Sequence, residues 1–229
     1  MMIAVAGLSL GAAANTVTVT FTNSYSPLGG PVQGVYYYPY VISLNNSTNT
    51  MNVACDDYYD EIYIHNPGEA WTATVNTFNT SGVISGGEFT TGGTHPVTNA
   101  NQDYQQAAWL FMHLPNVSTQ VNAAINFAIW DIFDPHAQTL NASDSTSDTS
   151  STYWLNQAAG VDMSKVDFSD IKFFTPVAGS WNSTEFKNAP QELIGETPEP
   201  STWGLLLTGM LALAGLAWRR RHLQEQTQS

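Results

Sequence analysis

Positive charge is the scarcest property of this 229-residue chain: six lysines and arginines stand against 19 acids, for a net charge of -13. All three arginines are consecutive, Arg219 to Arg221, which leaves only Lys165, Lys172 and Lys187 elsewhere. Residues 15 to 197 hold three lysines against 17 acids, a net charge of -14. Such a body repels phosphate backbones and anionic lipid, which excludes a nucleic-acid binder, and it attracts divalent cations or basic partners. Cysteine is nearly absent too. Cys55 is the single thiol, so no internal disulfide exists and a disulfide-stapled mini-domain is excluded. There is no Gly-x-Ser-x-Gly, no phosphate loop and no nucleotide fingerprint, and the five histidines lack metal-ligand spacing. The chain is therefore read as non-enzymatic and without a cofactor. What is present argues for a folded body: 43% hydrophobic and 12% aromatic residues exclude a wholly disordered chain.

The two ends read as addresses. Residues 3 to 11 form a short apolar run closed by Ala12, Ala13 and Ala14, the pattern of a secretory signal peptide. No basic residue precedes the run. Residues 1–14 are expected to be a shortened signal peptide cut after Ala14, the other possibility being a first strand of the domain. At the far end, Pro198-Glu199-Pro200 breaks regular structure. The stretch 201–218 then runs without charge from Ser201 to Trp218. As a helix it would rise about 27 Å, close to a bilayer's hydrocarbon core. Trp203 and Trp218 would sit at the two interfaces, and Arg219, Arg220 and Arg221 would hold a cytoplasmic tail, 219–229.

A Pro-Glu-Pro tripeptide, one short apolar helix and a terminal arginine cluster, in this order and spacing, resemble the PEP-CTERM sorting signal of Gram-negative bacteria. The resemblance implies an exported protein processed by an exosortase. It also implies one span of the lipid bilayer through 201–218, a periplasmic body before sorting, and a cell surface or extracellular matrix destination afterwards.

Between these ends, residues 15–187 read as one α+β domain, followed by a linker over 188–200. Val17 to Thr22, 40 to 44, 51 to 55 and 71 to 78 show strand alternation, and Asn45-Asn46-Ser47 signals a turn. Residues 82 to 102 read as a loop or weak hairpin. Asp103 to Leu114 has helical spacing. A second helix is expected from a Ser118 cap to Pro135, and a third from Thr152 to Ala159, closed by Gly160. Phe168 to Pro176 and Trp181 to Lys187 return to strand character. The expectation is a β-sandwich or barrel-like sheet with an inserted helical hairpin, plus one C-terminal transmembrane helix.

Two groups of residues invite chemistry. Cys55 in Val53-Ala54-Cys55-Asp56-Asp57, Gln105-Gln106-Ala107-Ala108-Trp109 and Asn126-Phe127-Ala128-Ile129-Trp130 together are similar to the thioester domains of bacterial surface adhesins. The resemblance implies an internal thioester that captures a nucleophile, with Asn126 standing at the position of the family's glutamine. Asp56, Asp57, Asp60 and Glu61 form an acidic group whose oxygens suit calcium, although EF-hand spacing is absent. A solvated acidic surface is the preferred reading of that group. Tyr- and Asn/Thr-rich surfaces are compatible with a polysaccharide or surface ligand, so adhesion or matrix binding is the expected role, with covalent capture through Cys55 as its alternative.

Overall fold

The computed structural model describes residues 15–22, 31–60, 69–114, 117–137, 139–181 and 189–196. The chain divides into two compact units, Met1–Glu196 and Thr197–Ser229. The proposed signal peptide, the 181–187 strand beyond Trp181, the Pro198-Glu199-Pro200 motif, the 201–218 span and the arginine cluster lie outside the described residues. Among the described residues no helix is long and apolar enough to cross a membrane.

The body is α+β, and its sheet is a closed antiparallel barrel. Its strands are β1 (Thr16–Phe21), β2 (Tyr40–Leu44), β3 (Thr50–Cys55), β4 (Ala70–Asn76), β5 (Ile171–Pro176) and β6 (Leu193–Glu196). Around the barrel they run β1-β2-β3-β6-β5-β4, and β4 closes back on β1. Alternation decides what fills it, because successive side chains point to opposite faces of a strand. Val19, Phe21, Tyr40, Ile42, Met51, Val53, Cys55, Trp71, Ala73, Phe174 and Leu193 form one buried apolar cluster, the barrel interior. Gly195 leaves room there. A Cβ at this position would meet the Val53 Cγ1 at 2.9 Å and press on the Met51 methyl.

The β2–β3 turn follows the sequence signal. Asn45 and Asn46 both adopt left-handed backbone (φ 52° and 56°), which asparagine tolerates best after glycine. The Asn45 side chain also accepts the Thr18 N–H at 2.9 Å, which ties the turn to β1.

The helices are α1 (Ala100–Phe111), α2 (Thr119–Phe133) and α3 (Ser151–Ala159), with a 3₁₀ turn at Met163–Lys165. Ser118 caps α2, its side chain accepting from Val121 N–H. Gly160 closes α3 as expected, but with right-handed φ of -85°, so the backbone there does not require glycine. All three helices share a second buried cluster with Ala54, Ile171, Phe173 and Ile194. Those four alternate with interior residues along β3, β5 and β6. At these positions β3, β5 and β6 are buried on both faces, although Thr50 and Asn52 at the start of β3 are exposed, while β1, β2 and β4 show threonines and other partly exposed residues outward.

β6 corrects the expected boundary. Leu193–Glu196 lies within the 188–200 segment read as a linker, yet it pairs with both β3 and β5 and completes the barrel. Four residues after a proline and a run of amide and acid side chains carry too little alternation to register as a strand. Helix α1 also begins three residues earlier than its periodicity suggests, and β5 begins three residues later than expected.

Candidate functional site

The pairing of β3 with β6 sets two acids side by side. Val53 faces Gly195, Ala54 faces Ile194 and Cys55 faces Leu193. One step further, Asp56 N–H donates to the Glu192 carbonyl at 3.4 Å. Beyond the strand ends the chain stays buried, and Asp56, Asp57 and Glu192 are each 0% exposed. The acidic group read as a solvated surface is thus partly interior; Glu61 lies outside the described residues.

Glu192 is the best-satisfied member. Its Oε1 accepts from the Tyr104 hydroxyl of α1 at 2.5 Å. Its Oε2 accepts the Glu88 N–H at 3.0 Å and the Thr175 hydroxyl of β5. Burial raises its carboxyl, and the bonds from Thr175 and Tyr104 pull it back down. Asp56 beside it is pushed well above the usual carboxylate range, first by burial and then by the charges of Glu192, Asp57 and Glu88. Neither oxygen of Asp56 has a hydrogen-bond partner, unlike those of Glu192.

Asp57 turns the chain at the end of β3. Its Oδ1 accepts the N–H groups of Tyr59 at 2.7 Å and Asp60 at 3.3 Å. Burial and the neighbouring Asp60 lift it to about 7. Glu88, also buried, comes from the long loop between β4 and α1, and its Oε1 lies 2.6 Å from His95 Nδ1. Burial, then Asp57, Glu192 and Asp60, raise it to about 10. His95 is held from above by Tyr59, whose ring stacks on it at 4.5 Å and 12°. Gly87 permits this loop to pass close to α1: its φ is 138°, and a Cβ there would meet the Tyr104 ring and hydroxyl.

Cys55 lies at the edge of this seam. Its thiol donates to the Asp57 carbonyl at 2.8 Å, and burial, followed by Asp57 and Asp56, raises it well above its usual range. Asn126, expected beside the thiol, serves the backbone instead. Its Nδ2 donates to the Cys55 carbonyl at 3.1 Å and its Oδ1 accepts the Tyr38 N–H at 2.8 Å. Gln191 shares an acceptor with the thiol. Its Nε2 donates to the carbonyls of Asp57 and Asp60, both at 2.6 Å, so thiol and carboxamide share the Asp57 oxygen. Trp109 and Trp130 pack with the helix cluster.

The structure thus gathers Asp56, Asp57, Asp60 and Cys55, and adds Glu88, His95, Gln191 and Glu192, which sequence reasoning did not single out. Of the other histidines, His113 bonds the Trp109 carbonyl at 2.7 Å and His136 contacts Asp134 at 3.2 Å. A hidden signal for the missed residues lay in the excess of acids over cations, since three lysines cannot neutralise acids that the fold buries.

Compared with known proteins, residues 196–221 match the PEP-CTERM protein-sorting motif. No curated protein and no solved structure matches the chain. The thioester-domain resemblance finds no support in these comparisons. The motif implies export and processing by an exosortase, which makes the chain an exosortase-targeted surface protein.

Proposed function

We propose that the chain is a non-enzymatic envelope protein whose body is displayed outside the inner membrane, held there by 201–218 until an exosortase processes the tail, and that the body then binds matrix or surface polysaccharide. The sorting motif at 196–221 carries this reading. Two features of the body agree with it. Its strongly acidic charge suits solubility outside the cell. A cleft of about 720 Å³ combines Phe78 and Phe168 with Thr77, Asn79, Gln105 and Asp167, the mix of aromatic and amide or carboxyl groups that grips sugars. The test follows the full chain in an exosortase-positive strain and in one lacking that enzyme. Loss of the tail and release of the body only where the enzyme is present is expected. A full-length, cytosolic product in both strains overturns the reading. Retention of the released body on a matrix polysaccharide column tests the binding role.

A second reading, covalent capture through Cys55, is favoured by one observation: the shared Asp57 carbonyl brings the thiol and the Gln191 carboxamide together. Attack of the sulfur on the amide carbon would form a thioester and expel ammonia, so thiol hydrogen and amide nitrogen leave together. The intact chain would then be lighter by about 17 Da, and methylamine would open the bond. An unmodified mass with a free Cys55 thiol rejects it.

A further inference from the structure

The seam gathers more carboxyl groups than the surrounding fold has cations to pair with them. Among the described residues the two lysines are engaged elsewhere: Lys165 pairs with Asp162 at 2.9 Å, and Lys172 donates to the Ser169 carbonyl at 2.6 Å. The basic group that meets the carboxylates is His95. One oxygen of Asp60, one of Glu88 and one ring nitrogen of His95 lie within 4.8 Å of one another.

Asp57 supplies an independent indication. It is fully buried, and while its Oδ1 takes two backbone donors, its Oδ2 has no hydrogen-bond partner. A buried carboxylate oxygen without a donor loses hydration and gains nothing in return. The Asp60 N–H that its Oδ1 accepts, at 3.3 Å, places this carboxylate beside the first of the three ligands.

We propose that Asp60, Glu88 and His95, with Asp57 beside them, form a binding site for one divalent transition cation of the zinc or manganese class. The donor set selects this class. Calcium takes six to eight oxygens, whereas an imidazole nitrogen joined by two or three carboxylates suits zinc or manganese. The ion would tie the end of β3 to the loop before α1, and it would let the buried carboxylates ionise at neutral pH. The site belongs to the body alone, so it stands or falls separately from the sorting reading.

The test uses the full chain, purified in detergent, stripped with EDTA, dialysed, and titrated by calorimetry with Zn²⁺, Mn²⁺ and Ca²⁺. One Zn²⁺ or Mn²⁺ per chain is expected, with Ca²⁺ far weaker. His95→Ala and Asp60→Asn are each expected to weaken binding about 100-fold. The His95 side chain is 34% exposed, so its removal leaves the fold standing, and an unchanged melting temperature in EDTA checks this. Where Asp60→Asn melts lower in EDTA, His95→Gln decides in its place. No stoichiometric binding, equal affinity in the variants, or a preference for Ca²⁺ overturns the proposal.

Discussion

The barrel has two buried surfaces of opposite character. Inside, aliphatic and aromatic side chains fill the space, with Phe21 and Trp71 in contact at 5.3 Å between ring centres. Beyond the ends of β3 and β6, past the apolar face that meets the helices, an equally buried seam carries Asp56, Asp57, Glu88 and Glu192. The first arrangement gains stability from burial. The second gives some of it back, because ionised carboxyls are poorly solvated there. A fold that needed only stability would have placed apolar residues in both. The contrast teaches that burial alone does not identify a core.

Breaking the interior is expected to have the largest effect. Trp71→Ala removes a fully buried indole that packs on Phe21 of β1 and should cost about 3–5 kcal/mol in a urea unfolding series. The joint between barrel and helices comes next. Asn126→Ala leaves the Tyr38 N–H and the Cys55 carbonyl without their partner. A loss of about 2–4 kcal/mol by the same measurement is expected. An undiminished midpoint would show that water or a shifted helix replaces the carboxamide.

The seam itself should respond to pH with an unusual sign. Unfolded carboxyls titrate near 4. In the folded, metal-free body Asp57 holds its proton to about 7 and Glu88 to about 10. Between those limits the folded state binds more protons than the unfolded one, so stability is fullest near pH 4 and declines as pH rises. Melting temperatures in EDTA should fall from pH 5 to pH 9, and added Zn²⁺ or Mn²⁺ should flatten the slope. Stability that rises over this range would contradict the burial of these acids. The smallest effect belongs to a position that is neither interior nor seam. Gly160→Ala meets neighbours at 3.5 Å or more with right-handed backbone, and should stabilise α3 by about 0.5 kcal/mol.

Much of the scaffold was legible because its periods are clean. Val17 to Phe21, Met51 to Cys55 and Trp71 to Val75 alternate, and Val121 to Phe133 repeats at three and four. Closure of the barrel was not legible, because it depends on β6, a strand of four residues distant in sequence from the β3 it joins. The site was half visible. Asp56, Asp57 and Asp60 stand together in the sequence, but Glu88, His95 and Glu192 arrive from far along the chain, outside any regular element, and loops carry no period. Their burial also inverts the usual expectation that clustered acids face water. For Asn126, chemical similarity to glutamine suggested reactivity, whereas its short side chain makes a better clamp on backbone than a partner for sulfur.

Closure has a consequence for life in a crowded setting. Each of the six staves has a neighbour on both sides, so the sheet presents no loose border for a second copy to extend. Molecules gathered at high density on a surface would therefore not join through the edges of this sheet.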